Sequence, residues 1–156
     1  MSLVAFSHWL SSTSLSHLIQ RTHGAIATIQ VVHIICLAAL VGLALNLALR
    51  FAGRGLVAES LSSLTRRFVP AMWVCLGFLL VSGSLLIIAE PFRTIRNPVF
   101  YIKMALLLVA IAFTLAFAYV ARRVPERPTA SRAVAATLYM LIWAGIMVAG
   151  RYIAYN

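Results

Sequence analysis

Four long runs of apolar residues, separated by short polar and basic segments, dominate the sequence. They cover residues 25–49, 68–89, 99–121 and 133–150 and contain almost no charged side chains. A helix needs about 20 apolar residues to cross the hydrocarbon core of a bilayer, and its backbone groups are all hydrogen-bonded within the segment. The pattern therefore predicts an all-α integral membrane protein, a four-helix bundle in which residues 1–156 form a single transmembrane domain.

A shorter amphipathic segment, residues 1–22, precedes the first span. Its large apolar residues recur at helical spacing on both sides of a Ser- and Thr-rich run, and they are Leu3, Phe6, Leu10, Leu15, Leu18 and Ile19. Neither half is long enough to span a bilayer. The segment is predicted to form an amphipathic interfacial helix, with Trp9 at headgroup depth and Ser14 as the N-cap of the second half.

Proline, asparagine and charged residues predict where the helices begin and end. Asn97 and Pro98 suit the N-cap and the first position of the third span. Pro70 is placed in the first turn of the second span, where its missing N–H costs little. Residues 59–64 form a candidate short interfacial helix, and Arg151 is expected to close the fourth span.

The composition excludes a water-soluble domain. Of the 156 residues, 63% are hydrophobic and 10% are charged, and the mean hydropathy is +0.99. A soluble domain has about a quarter charged residues. The net charge of +10 comes from basic residues between the apolar runs, where they meet lipid headgroups. This placement predicts a bilayer with anionic lipids as a partner and argues against nucleic acid.

The distribution of Lys and Arg predicts the orientation of the chain. The loops after the first and third spans hold eight basic residues, and the opposite side holds five. Cytoplasmic loops carry the excess of Lys and Arg in membrane proteins. The chain is therefore predicted to be a multi-pass protein of the bacterial inner membrane with both termini in the periplasm.

His33 is the one histidine inside a predicted span, and it is the main candidate for chemistry. Gln30 and Cys36 lie three residues on either side of it, so the three share a helix face. An intramembrane imidazole usually faces the interior of the bundle. Three interpretations stay open: a hydrogen bond to Ser or Tyr of a neighbouring helix, an axial ligand to haem b, and a metal or proton site.

Helix depth predicts the neighbours of His33. The residue lies about 12 Å below the end of the first span at 1.5 Å per residue, and the antiparallel helices bring Ser82, Ser84 and Trp143 to a similar level. These three and Gln30 are the predicted cofactor contacts besides His33. None of the three is a good second haem ligand, so a bis-histidine haem requires a histidine from the N-terminal segment or from a second copy.

The remaining polar residues near the spans predict structural contacts. Three are expected to form helix–helix hydrogen bonds, namely Asn46, Thr114 and Thr137. At the rim of the bundle, Glu90 is expected to form an ion pair with Lys103 or Arg151, because a semi-buried charge near a membrane needs a partner.

Three groups of residues carry a resemblance to a known family. They are Trp9, Gln30, His33 and Gly42 in the first part of the chain, Ser82-Gly83, Asn97-Pro98-Val99-Phe100 and Lys103 in the middle, and Gly150-Arg151-Tyr152-Ile153-Ala154-Tyr155 at the end. Together they resemble a bacterial family of uncharacterised four-helix inner-membrane proteins, over nearly the whole chain. The layout is also loosely similar to that of copper-resistance membrane proteins and small b-type cytochromes. The resemblance implies the fold and leaves the activity open.

Two classes of function follow from these observations. The first is a non-enzymatic membrane protein, an accessory or scaffolding subunit that associates with other membrane subunits or with itself. The sequence contains no hydrolytic motif and no chain of carboxylates within the spans, so no catalytic residue and no metal site are predicted. The second class is a haem b-binding electron-transfer protein with His33 as an axial ligand.

Overall fold

The computed structural model describes residues 3–54, 60–123 and 129–155 of the chain. Within these ranges all regular structure is helical, and the helices are α1 (Leu3–Ser11), α2 (Ser14–Arg21), α3 (Ala25–Phe51), α4 (Leu61–Ala89), α5 (Pro91–Ile95), α6 (Pro98–Arg123) and α7 (Ala130–Tyr155). Four of them, α3, α4, α6 and α7, are long and apolar enough to cross a membrane. The predicted all-α membrane bundle is therefore confirmed, and the short α5 is an addition that the sequence pattern did not predict.

The helix α4 begins earlier than the apolar run that predicted it. Its first residue is Leu61 and its N-cap is Ser60, so Pro70 lies inside the helix and not in its first turn. Pro70 is exposed on the surface of the bundle. The expected interfacial helix at 59–64 is instead the start of α4 from Leu61 onward, and residue 59 lies outside the described ranges. A polar first turn extends the helix because its side chains can reach the headgroup region.

Local hydrogen bonds explain where two other helices begin. The side chain of Asn97 accepts the backbone N–H two residues on at 3.0 Å, and α6 begins at Pro98, as predicted. The N-cap of α2 is Thr13 and not Ser14, because the Thr13 hydroxyl accepts the backbone N–H three residues on at 3.3 Å. Arg151 does not end α7, which continues to Tyr155.

The N-terminal segment forms two helices, α1 and α2, that pack over one end of the bundle. Gln20 of α2 donates a hydrogen bond to the carbonyl oxygen of Ala89, the last residue of α4, at 2.7 Å. His8 of α1 packs edge to face against Phe92 of α5, with ring centroids 4.8 Å apart. Trp9 is 57% exposed. We call this the terminal end, because the last turns of α7 lie there as well.

The aromatic core lies toward the opposite end, between α3, α6 and α7. Phe51 and Phe117 stack with centroids 4.0 Å apart and ring planes 10° apart. The hydroxyl of Thr114 donates to the carbonyl oxygen of Ala110 at 2.9 Å. Its single proton is thereby used, so Tyr139 donates to Thr114 across α6 and α7 at 2.7 Å. The predicted helix–helix hydrogen bond of Thr114 is therefore present.

The other two residues predicted to link helices bond within their own helices. Asn46 donates to the carbonyl oxygen of Gly42 at 2.8 Å, and Thr137 donates to that of Ala133 at 3.0 Å. Both side chains are exposed on the surface of the bundle. Their helix faces point away from the other helices, which hydropathy alone could not reveal.

Candidate functional site around His33

His33 lies on the face of α3 that packs against α4, and its ring bonds to Ser82. The His33 Nδ1 and Ser82 Oγ atoms are 2.8 Å apart. Ser82 is buried and His33 is half-buried. This contact is the hydrogen bond to a serine of a neighbouring helix that was the first interpretation of His33, and it joins the two helices within the membrane span.

A second bond of Ser82 fixes which nitrogen of His33 carries the proton. The Ser82 Oγ atom lies 2.7 Å from the carbonyl oxygen of Phe78, one turn earlier in α4. A hydroxyl has one proton and a carbonyl can only accept, so Ser82 donates to Phe78. The donor to Ser82 must then be Nδ1–H of His33. In the neutral ring, Nε2 is left with an unprotonated lone pair, able to accept a hydrogen bond or to bind a metal.

Gly83 gives the His33 ring its room. A Cβ atom at this position would lie 3.5 Å from Cε1 of His33. That distance is an ordinary van der Waals contact for one methyl group, and a longer side chain would compete with the ring for space. The adjacent residues Ser82 and Gly83 therefore serve the same ring, since Ser82 accepts its hydrogen bond and Gly83 leaves space for it.

Lys103 is a second polar group at the terminal end of the bundle. It is half-buried in α6, and its Nζ atom lies 3.5 Å from the place that a Cβ of Gly150 would occupy on α7. Within the part of the chain that the structure describes, Lys103 has no ion pair and no hydrogen bond. A cation and an acceptor nitrogen thus lie at the same end of the bundle.

The other predicted neighbours of His33 take no part in the His33–Ser82 hydrogen bond. Ser84 is exposed on α4, because two residues rotate a side chain by about 200° around a helix. Trp143 is 1% exposed and belongs to the apolar core. Its ring meets that of Tyr139 edge to face, with the ring centroids 6.2 Å apart. Gln30 is half-buried. Cofactor contacts at these residues stay predictions.

The acid at the rim pairs with its nearest basic neighbour in sequence. Glu90 accepts a hydrogen bond from Arg93 at 2.9 Å, one turn along in the short helix α5. The sequence predicted Lys103 or Arg151 as its partner, and Lys103 does not contact Glu90 in the described part of the chain. The sharp turn between α4 and α5 decides the pairing, because it places Glu90 and Arg93 on one local helix face.

Among the described residues, no second histidine lies in a spanning helix beside His33. No group of three His, Cys, Asp or Glu converges within residues 3–54, 60–123 and 129–155. Cys36 and Cys75 are free and half-buried. His23 is the histidine nearest to His33 in sequence, and it is exposed. It lies in the turn before α3, whose first residue is already about 12 Å from His33 along the helix axis at 1.5 Å per residue.

Comparisons with protein-family models, with curated proteins and with solved structures find no match to this chain. The family resemblance therefore stays a prediction.

Proposed function

We propose that this chain is a non-enzymatic subunit of a membrane assembly that binds another membrane protein through the lipid-facing side of α4. The observation that supports it is the uneven burial of the spans. In the most apolar 18-residue stretch of each spanning helix, the share of residues buried within the bundle is 11% for α4. The corresponding share is 22% for α3 and 28% for both α6 and α7. The bundle covers less of α4 than of any other spanning helix in the described ranges.

The exposed side of α4 carries features that favour a protein neighbour over lipid alone. Gly77 is exposed, and a Cβ added there would meet nothing within 4 Å. Ser84, two turns along the same face, is exposed and makes no hydrogen bond among the described residues. Val81 lies between them and is 60% exposed. Small residues let helix backbones approach closely in a membrane, and hydroxyl groups form bonds between helices.

Photo-cross-linking in native membranes tests this proposal. A photoreactive residue replaces Val81 on α4, and the matched control replaces Leu108 on α6, which is 69% exposed. We expect one discrete adduct from position 81 and diffuse or no labelling from position 108. The variant Gly77→Leu is expected to abolish the adduct, while Ala112→Leu on the exposed side of α6 is expected to preserve it.

Two results would count against the subunit proposal. The first is equal labelling from positions 81 and 108, which random collision in the membrane explains. The second is a protein that purifies alone in mild detergent and gives no adduct from position 81.

A second candidate function, haem b binding through His33, is favoured by the tautomer of its ring. Histidines that ligate a metal commonly donate the other ring N–H to a neighbouring group, which fixes the ring and raises the basicity of the ligating nitrogen. The bond from Nδ1 of His33 to Ser82 has this form. Nε2 is the nitrogen that would bind iron, and a second axial histidine would come from the N-terminal segment or from another chain.

An absorption spectrum of the purified protein, oxidised and then reduced, tests the haem candidate. Protein made with ample haem supply is compared with His33→Ala and with His23→Ala as the matched control. A Soret band that is lost in His33→Ala and kept in His23→Ala supports haem ligation by His33. A spectrum with aromatic absorption alone refutes it.

A further inference from the structure

The side of α3 that faces away from the bundle carries a continuous stripe, which we call the α3 seam. Its members are Thr28, Val32, Ile35, Ala39, Gly42, Asn46 and Leu49. They are separated by alternating steps of four and three residues. All are exposed except Gly42, which is half-buried and whose added Cβ would meet nothing within 4 Å. This spacing is that of paired helices crossing at about +20° with knobs-into-holes packing.

The polar member of the seam is left with unused hydrogen-bonding groups. The Asn46 amide donates one N–H to the carbonyl oxygen of Gly42 at 2.8 Å. Its second N–H and its oxygen have no partner among the described residues. Asn46 lies about 12 Å from the middle of α3 at 1.5 Å per residue, inside the half-thickness of about 15 Å of a hydrocarbon core. A polar group at such a depth is costly without a partner.

We propose that the α3 seam is the interface of a parallel homodimer in which Asn46 pairs with Asn46 of the partner subunit. Two copies inserted in the same orientation are related by a two-fold axis along the membrane normal. Each seam residue that faces this axis therefore meets the same residue of the other copy at the same depth. A carboxamide contains both a donor and an acceptor and is therefore its own complement. A different protein would need a suitable polar group at that one depth, whereas a second copy supplies it in every case.

The seam also has the shape that close packing requires. Ala39 and Gly42 are the two smallest members of the α3 seam and are adjacent in it. Gly42 is also the seam residue that directly precedes Asn46. Small residues at these positions allow the two α3 backbones to approach until the amides are in hydrogen-bonding reach. The seam lies on a different helix from the exposed face of α4, so this inference and the proposed function can fail independently.

Disulfide cross-linking tests the interface in the full-length chain, in a background with Cys36→Ser and Cys75→Ser. The seam variants are Ile35→Cys and Ala39→Cys. Their matched controls, Ile34→Cys and Ala38→Cys, have the neighbouring depth and are also exposed, but point about 100° away around the helix. With copper phenanthroline as the oxidant in membranes, we expect several-fold more covalent dimer from the seam variants, since a disulfide requires Cβ atoms about 4 Å apart. Equal yields, or no dimer from any variant, would overturn the proposal.

Energy transfer between labelled chains in phosphatidylcholine vesicles tests the role of the amide. Asn46→Leu is expected to weaken dimerisation about 3- to 15-fold, the effect of one interhelical hydrogen bond. Gly42→Leu is expected to abolish the dimer by keeping the backbones apart. Ala144→Leu, at an exposed position of α7, is the control and is expected to leave the dimer unchanged. An unchanged dimer in Asn46→Leu would overturn the inference, because amide pairing is what identifies a second copy as the occupant.

Discussion

Replacing Ser82 with alanine tests the bond that joins α3 to α4 at His33. In the native chain the Ser82 hydroxyl accepts from His33 at 2.8 Å and donates to the carbonyl oxygen of Phe78 at 2.7 Å. The substitution removes the acceptor and leaves the N–H of His33 without its partner. The carbonyl of Phe78 loses little, because it still accepts the backbone N–H of residue 82 within α4.

The expected loss of stability follows from the burial of the two groups. Leaving a buried donor unpaired costs about 1–3 kcal/mol. Hydrogen bonds between membrane helices average about 0.6 kcal/mol and reach about 1.7 kcal/mol. Ser82 is buried while His33 is only half-buried, so part of the desolvation cost is avoided. We therefore expect Ser82→Ala to lower the free energy of unfolding by about 1 to 1.5 kcal/mol.

Reversible unfolding by SDS in mixed micelles measures this free energy. Ser84→Ala is the matched control, since Ser84 is exposed two residues along the same helix, and a change below about 0.5 kcal/mol is expected there. The double variant with His33→Leu isolates the pairwise energy, expected to be about 1 kcal/mol. Equal effects of Ser82→Ala and Ser84→Ala, or a coupling energy near zero, would refute the reasoning.

Two further changes test the core and the terminal end. Thr114→Val removes the acceptor of the buried Tyr139 hydroxyl and is expected to lower the free energy of unfolding by about 1–2 kcal/mol. Its control, Thr137→Val, loses only an exposed bond within α7. This control should change the free energy of unfolding by less than about 0.5 kcal/mol. The SDS titration measures both, and similar effects would contradict a bond between helices. Gln20→Ala breaks the bond to the carbonyl of Ala89 and is expected to speed hydrogen exchange of the α2 amides while leaving α6 unchanged. Unchanged exchange in α2 would mean that apolar packing alone holds it.

The beginning of a helix was predicted correctly where the residues that set it lie within one turn of the boundary. Asn97 and Pro98 begin α6 because a short polar side chain and a fixed φ act on the next turn of the backbone. The beginning of α4 was predicted too late, because the first turn from Leu61 is polar and hydropathy does not register it. The short α5 escaped prediction because five residues carry too little periodicity to detect.

The sequence also predicted the depth of the residues around His33 more successfully than their direction. Ser82 and Ser84 lie at nearly the same level, and hydropathy gives no reason to prefer either. The rotation of α4 about its axis turns Ser82 toward His33 and Ser84 toward the lipid. Asn46 illustrates the same limit, because the sequence predicted a bond to another helix of the chain and the rotation of α3 points the amide outward.

By itself the sequence determined that this chain is a membrane bundle of four spanning helices, because lipid cannot satisfy backbone polar groups and only long apolar helices can cross it. The tertiary structure alone decided which polar side chains meet. That choice depends on helix rotation and on the room left by glycines such as Gly83, which are set by packing between helices remote in sequence. For this reason the position of the proton on His33 and the outward-facing amide of Asn46 became visible only in the folded chain.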